Sequence, residues 1–418
     1  MSKRTYTTID LFSGAGGLSL GFNSTGRYKS VFAVEFDQAA AHTYARNFSH
    51  QIIENDLLQN ELLDIDVPGY VFNDDIRKLG TVNLKADIII GGPPCQGFSP
   101  LGKISPRDEH LRMNQLWQEY MRVVAQVKPL AFVIENVPEL LKSREAVAIR
   151  TLAERMGYTV NYGELKAVEF GVPQRRVRAF IVGILGPHHP ALPMPGTSRR
   201  SVRDAISDLP LYPETTNLDP LPTAGTDELQ NLHFGRNPTE VSLKRYRLIP
   251  PGGNRFDLMR QAPEITPRCW LEKPTGTTDV FGRLRWDEPA YTIRTEFFKP
   301  EKGCYLHPEA HRPLTHREAA RLQTFRDDFI FVGSKTQIAK QIGNAVPPML
   351  AQVLAQNLAR QLDRLSSEEL KKDRHRMTTT AFNVLLEQVV TEIYSKPSVQ
   401  VEVEEPSEYS QLLQSIAR

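Results

Sequence analysis

Cysteine is scarce in this chain: there are three in 418 residues, Cys95, Cys269 and Cys304, an odd, widely spaced set without a CxxC pair. That excludes a disulfide-dense secreted scaffold and the paired thiols of a zinc site, and it predicts three reduced thiols and no metal. Long apolar runs are lacking too. The longest, such as residues 131–134 and 88–90, fall far short of the roughly 20 residues that cross a bilayer. The polar Met1-Ser2-Lys3-Arg4-Thr5 start has no apolar signal-peptide core, so an intracellular protein without a membrane partner is expected. Net charge is nearly absent, +2 at pH 7, which by itself identifies no nucleic-acid partner and opposes none. No repeat or low-complexity tract is evident.

What is present is a 40% hydrophobic, ordinary globular composition, with length for two or three domains. Up to Gly186 short apolar runs alternate with amphipathic stretches, the pattern of βαβ units and a parallel sheet. Strands are predicted at residues 6–11, 31–34, 87–90, 131–134 and 179–184, and helices at 18–25, 38–47, 116–127 and 147–156. From Pro190 prolines crowd in and periodicity fades, which marks a boundary near residue 186 and predicts a loop-dominated α+β or mostly β module at 187–311. Helices return at 315–324 and 347–362. The last segment, 363–418, reads as a helical or flexible appendage, with a helical pattern at 380–394.

Two glycine-rich turns carry the chemistry. In Gly91-Gly92-Pro93-Pro94-Cys95-Gln96-Gly97, the strand 87–90 runs into residues that continue neither strand nor helix, so Cys95 is displayed at a strand's carboxyl end, where open α/β sheets bind their ligands. A lone cysteine is more often a small core residue; the Pro-Pro before it and the Gln-Gly after it point instead to a nucleophile. The second turn, Ser13-Gly14-Ala15-Gly16-Gly17, joins a strand to a helix in the order that sets a nucleotide against a helix start. Ser19 stands where the dinucleotide fingerprint needs its third glycine, and Glu35, 21 residues after Gly14, can accept from ribose hydroxyls, so a nucleoside without pyrophosphate fits better. Between residues 233 and 268, seven basic residues face three acidic ones; this is either a solvated face or part of a nucleic-acid surface.

Taken together, FSGAGG, GGPPCQGFSP, Glu135-Asn136-Val137, Gln174-Arg175-Arg176-Val177-Arg178, the stretch from Arg312 to Gln323 and Gln341-Ile342-Gly343-Asn344-Ala345-Val346-Pro347-Pro348 resemble the ordered motifs of the DNA (cytosine-5)-methyltransferases of bacterial restriction-modification systems. The resemblance covers about residues 7 to 360. It implies an α/β fold with a doubly wound, mostly parallel sheet, Rossmann-like, that binds S-adenosylmethionine, and a smaller target-recognition domain. The implied division is a catalytic domain at 1–186, target recognition at 187–311 and a return to the catalytic domain at 312–362. It places Phe12, Gly14 and Gly16 in the cofactor turn, Glu35 on the ribose and Phe36 on the adenine. Asp75, with Ile76, would meet the adenine amino group, though Asp74 leaves that open by one position; Asn344 would close the pocket or merely cap a helix.

The resemblance further implies that Cys95 attacks carbon 6 of a flipped-out cytosine, because carbon 5 is otherwise too poor a nucleophile to take a methyl group. A free thiol with a pKa of about 8.5 needs help to ionise at neutral pH. Glu135 would serve ring nitrogen 3, Arg178 the base carbonyl oxygen and Glu135, and Arg176 would hold the site or a phosphate. Gln96, the segment 99–105 and the turn 250–254 are candidates to clasp duplex DNA, with Arg245, Arg247 and Arg255 on phosphates or guanines. A monomer, nucleoid-associated in the cytoplasm and paired with a restriction endonuclease, is expected. The competing readings are an RNA cytosine methyltransferase, disfavoured by the long recognition region, a catalytically silent DNA-binding module, and a nicotinamide oxidoreductase, disfavoured by Ser19.

Overall fold

The computed structural model describes residues 4–53, 69–82, 84–94, 116–223, 226, 228–272, 275, 278–366, 368 and 374–395. In chain order the first part comprises β1 (Tyr6–Leu11), α1 (Gly17–Asn23), β2 (Tyr28–Val34), α2 (Gln38–Phe48), β3 (Gln51–Ile53), β4 (Tyr70–Phe72), β5 (Ile88–Gly91), α3 (Leu116–Val127), β6 (Ala131–Asn136), α4 (Arg144–Arg155), β7 (Tyr158–Lys166) and β8 (Val177–Leu185). These strands form one eight-stranded sheet among the described residues, in the order β3-β4-β2-β1-β5-β6-β8-β7. All pairs are parallel except those made by β8, which runs against β6 and β7.

Alternation along the central strands decides which layer each residue joins. Ile9, Leu11, Ile89, Phe132 and Ile134 bury one face under α3 and α4, and Ile88, Ile90, Ala131 and Val133 bury the other under α1. Both faces are covered, so the sheet is doubly wound. The central strands and the main helices agree with the sequence reading. β3, β4 and β7 do not appear in it: the first two are three residues long, and β7 alternates half-buried and polar positions at the sheet's edge, without an apolar run.

The region 187–311 is loop-rich, with short helices α5 (Val202–Ile206), α6 (Glu240–Arg247), α7 (Arg255–Gln261) and α8 (Arg268–Glu272) and a two-stranded sheet of β9 (Gly282–Arg283) and β10 (Cys304–Leu306). It is followed by α9 (His316–Leu322), α10 (Lys335–Asn344) and α11 (Pro348–Leu362). α11 covers the same sheet face as α1 through Leu350, Leu354 and Leu358. α9 and α10 instead share a core with Val202, Ile206, Leu232, Ile293 and Tyr305 of the 187–311 region.

The helical pattern expected at 380–394 is present, and it packs on the rest of the chain. The helix α12 (Thr379–Tyr394) buries Phe382, Val389 and Ile393 in the core that α3 and α4 share. Met377 N–H donates to Ala125 O at 3.1 Å, Gln126 Nε2 donates to Thr379 Oγ1 at 2.8 Å, and Arg155 pairs with Glu392. Its apolar stripe matches a groove between two helices far away in sequence, which local pattern could not show. Among the described residues no helix is long and apolar enough to cross a membrane, and no cluster of His, Cys, Asp or Glu could hold a metal ion. Cys304 is buried and Cys269 exposed, both as free thiols.

Candidate active site and cofactor crevice

The sheet order fixes where a ligand can enter. From β1 the sheet extends outward through β2, β4 and β3, and from β5 it extends the other way, so the connections diverge above the pair β1 and β5, where Leu11 faces Gly91. Such a switch point opens a crevice beyond the carboxyl ends of the two strands. Both glycine-rich turns singled out in the sequence leave from it.

The first turn reverses β1 into α1 with three left-handed residues, Phe12 (φ 59°), Gly14 (φ 55°) and Gly16 (φ 92°). Phe12 adopts a conformation that costs a side-chain-bearing residue energy, as functional turns often do. The Glu35 carboxylate accepts from Gly14 N–H and from Asp37 N–H, both at 2.8 Å, and Asn73 Nδ2 donates to the Glu35 carbonyl at 2.8 Å. Burial pushes the Glu35 carboxyl above its usual range while these two amides oppose the rise. Beside it the Phe36 ring is 74% exposed, an unusual position for a large apolar side chain. Ser13 Oγ is buried in the turn without a protein partner. An acceptor for hydroxyls, a bare aromatic face and an unpaired hydroxyl around one turn fit the ribose and base of an adenosine-type cofactor.

The remaining cofactor candidates are placed unevenly. Both Asp75 oxygens are engaged by Arg77, and Asp74 pairs with Lys78 at 2.9 Å, so the choice between the two stays open. The Ile76 side chain is buried in the core beside α3. Asn344 is exposed at the last position of α10, whose caps are Ser334 and Ala345, so it caps nothing. Two residues on, the Val346 carbonyl lies against Gly17, which brings this segment onto the cofactor turn.

The catalytic candidates gather at the ends of β6 and β8. Arg178 Nε stands 2.9 Å from Glu135 Oε1, with the side chains only 17% and 12% exposed. Burial raises the Glu135 carboxyl, opposed by Arg178 and then Arg176. Glu135 Oε2 presses on Gly92, where any Cβ would come within 2.9 Å of it, and Asn136 Nδ2 donates to Pro93 O at 2.8 Å. Asn136 thus holds the chain two residues before Cys95, and Glu135 leaves no room for a side chain at Gly92, three before it. Cys95, Gln96 and the segment 99–105 lie outside the described residues.

Arg176 serves another purpose. It is 1% exposed, and its guanidinium donates to the carbonyls of Ile293, Gly343 and Asn344 at 3.1 to 3.3 Å. A phosphate cannot reach it there, which leaves holding the site. Nearby, buried Gln174 accepts from Ile293 N–H at 2.8 Å and donates to Gln323 Oε1 at 3.0 Å. Strand β8, the 290–293 segment, α9 and α10 are thereby locked around one buried polar knot.

The profile of the C-5 cytosine-specific DNA methylase family matches residues 6–360. The chain belongs to this family. It is 35% identical over 355 residues to the Type II methyltransferase M1.HphI of Haemophilus parahaemolyticus, covering 84% of this chain and 86% of that one. M.AgeI of Thalassovita gelatinovora is 32% identical, with 84% and 98% covered. Among solved structures, a prophage-encoded Escherichia coli protein assigned as a DNA modification methyltransferase superposes with a TM-score of 0.63 at 25% identity, over 86% of this chain and 100% of that one. The S. pombe Dnmt2 methyltransferase shares the fold at a TM-score of 0.53 and 15% identity, over 86% and 98%.

In this methylase the recognition-region arginines divide by burial. Arg247 is exposed, whereas Arg245 is half-buried with its Nε donating to Ile265 O at 2.7 Å. Arg255, expected on DNA, is 6% exposed, lies over the Phe256 ring and donates to Thr275 O at 3.2 Å. That expectation is corrected: its guanidinium is turned inward, onto the Phe256 ring and the Thr275 carbonyl, and not toward solvent. The turn itself presents Pro250, Pro251 and Gly252 to solvent.

Sequence reading gave no role to two buried arginines, Arg283 and, within the stretch quoted for the family resemblance, Arg312. Arg283 donates to the carbonyls of Ile249, His307, Ala310 and Tyr246 at 2.6 to 2.8 Å, and burial lowers it to about 10. Arg312 grips Glu318 through two bonds of 2.9 and 2.7 Å, while Glu318 closes a capping box with Thr315. The Thr315-x-x-Glu318 spacing was the available signal for the second; the first has none, since its acceptors are backbone atoms.

Proposed function

We propose that this DNA (cytosine-5-)-methyltransferase modifies one cytosine in a specific duplex sequence, flipped from the helix and bonded transiently to Cys95, and that it protects DNA from a partner restriction endonuclease. The observation that carries the reading is the Glu135–Arg178 pair, braced against Gly92 in a crevice shared with the cofactor turn. S-adenosylmethionine, when bound, supplies the methyl group on a sulfonium centre. Glu35 and Phe36 would hold its ribose and adenine, and Asn344 would close over it.

The protein's residues do the rest. The Cys95 thiolate adds to carbon 6, and the electron pair of the 5,6 double bond makes carbon 5 nucleophilic. Glu135, whose carboxyl is raised by burial, meets ring nitrogen 3 and stabilises the charge arriving there. Arg178 keeps Glu135 in place and offers its remaining donors to the base carbonyl oxygen. Once carbon 5 is methylated, water takes its proton, the C–H electron pair re-forms the 5,6 double bond, and the Cys95 thiolate leaves carbon 6. Extruding the base costs a few kcal/mol, offset by contacts to the opened duplex, for which Arg247 and the 250–254 turn are placed on the surface.

The experiment is methyl transfer from labelled cofactor to duplex DNA or to tRNA, repeated with Cys95→Ser and with 5-fluorocytosine in the duplex. DNA is labelled, Cys95→Ser binds DNA without labelling it, and fluorinated duplex traps the protein through position 95. Labelling of tRNA alone, or undiminished turnover by Cys95→Ser, overturns the reading. Type II relatives such as M1.HphI make a partner endonuclease the expected context, and resistance of DNA from expressing cells to one restriction enzyme tests it.

A further inference from the structure

Beneath the cofactor turn runs a chain of polar groups that neither cofactor binding nor base chemistry uses. Ser19 Oγ lies 2.7 Å from Asp10 Oδ2 and 2.7 Å from Tyr44 OH, Tyr44 OH is 2.5 Å from Ser30 Oγ, and Ser30 Oγ is 3.3 Å from His50 Nε2. All five side chains are buried, and they come from β1, α1, α2, β2 and the turn before β3. Asp10 Oδ1 has no hydrogen-bond partner. Among the described residues, the titratable groups whose charge reaches Asp10 are Glu35 beyond β2, Tyr44 on α2 and Tyr120 on α3, none of them a cation. Burial accordingly raises the Asp10 carboxyl to about 7, with Ser19 opposing the rise and Glu35 adding to it.

Donor and acceptor rules allow this chain two arrangements. His50 Nδ1 lies 2.8 Å from Phe48 O, which can only accept, so Nδ1 carries a hydrogen. With neutral His50, Nε2 accepts from Ser30, Ser30 from Tyr44, Tyr44 from Ser19, and Ser19 from a protonated Asp10. With ionised Asp10 each bond reverses and the chain delivers a proton to His50 Nε2, where burial and the nearby Lys29 disfavour the charge, so the proton moves on to water and leaves Nε2 as an unfilled acceptor beside Ser30. In the change one O–H bond breaks at Asp10 and one N–H bond forms at His50. Each hydroxyl between them gives up one proton and receives one.

We propose that Asp10 is a positioning residue for cofactor capture, losing its proton through Ser19, Tyr44, Ser30 and His50 when a sulfonium cation arrives beyond the end of β1. Ionised Asp10 holds Ser19 by a charge-assisted bond and tightens the first turn of α1 against the sheet. The idea rests on the S-adenosylmethionine reading of the crevice. It goes further by making the bound cation and a buried carboxyl exchange charge.

Titration calorimetry of the full-length protein, in buffers of different ionisation enthalpy between pH 6 and 8, counts the protons. Wild type should release up to one proton on binding S-adenosylmethionine, and affinity should rise by up to about tenfold per pH unit below pH 7 and then level. S-adenosylhomocysteine, which lacks the sulfonium charge, should release less. Asp10→Asn should abolish the release, and Ser19→Ala, which removes the bond favouring the ionised form, should move the rise to higher pH. The proposal is overturned if wild type binds S-adenosylmethionine with pH-independent affinity, if Asp10→Asn releases as many protons as wild type, or if Ser19→Ala leaves the profile in place. Wild type that binds neither compound at any pH overturns the proposed function instead.

Discussion

Asn136 reaches from the end of β6 to the Pro93 carbonyl at 2.8 Å, tying the strand that carries Glu135 to the segment that leads to Cys95. The amide is 7% exposed, so water cannot readily replace it. The bond spans 43 residues of sequence, from Pro93 just beyond β5 to Asn136 at the end of β6.

Asn136→Ala should lower kcat by about tenfold or more while cofactor affinity stays near wild type, because a loosened Pro93 shifts the reacting groups without touching the β1 turn. Single-turnover methylation beside cofactor titration measures the split. A parallel loss of both would mean that Asn136 supports the whole sheet edge.

Arg247→Ala and Arg255→Ala should separate binding from folding. Loss of exposed Arg247 should weaken DNA binding at every sequence and reduce the salt slope by about one counterion, with the unfolding midpoint unchanged. Loss of buried Arg255 should lower the unfolding midpoint first. Equal salt slopes for Arg247→Ala and wild type would remove Arg247 from the interface.

Phe382→Ala should destabilise the catalytic part by about 3 to 5 kcal/mol, since the ring is 1% exposed in the core shared with α3 and α4. Urea unfolding followed by tryptophan fluorescence reports it, with Trp117 in that same core. A change under 1 kcal/mol would show that α12 adds little to that core.

Asp10 should also leave a signature in stability without any ligand. Its folded value, about 7, lies above the ordinary 3.8, so the native state binds the extra proton. The stability this confers is complete below about pH 4 and is lost as pH rises to 7, amounting to roughly 4 kcal/mol. The unfolding free energy of wild type minus that of Asp10→Asn should fall by that order between pH 4 and pH 8. A difference that stays constant across the series would place the Asp10 ionisation elsewhere.

The chemistry was legible wherever it depends on neighbours in the chain. The strand, glycine turn and helix at residues 6 to 23 and the apolar strands β5 and β6 announce themselves through local period and composition. The residues of Glu135-Asn136-Val137 and of the Gln174 to Arg178 run resemble family motifs, and the structure gathers Glu135, Asn136 and Arg178 at one sheet end. Partition of the arginines was not legible. Arg176, Arg255 and Arg283 are buried on backbone carbonyls supplied by distant segments, and no side-chain pattern records a carbonyl.

By itself, then, the sequence determined the family, the central strands and the two turns that open the crevice, because hydrophobic period and glycine placement act over a few residues. Only the tertiary structure decided which arginine faces solvent, that α12 belongs to the core, and that Asp10, Ser19, Tyr44, Ser30 and His50 make one chain. Those outcomes depend on packing between elements far apart in sequence, where burial changes the energy of a charge and a partner's backbone supplies the bonds that satisfy it.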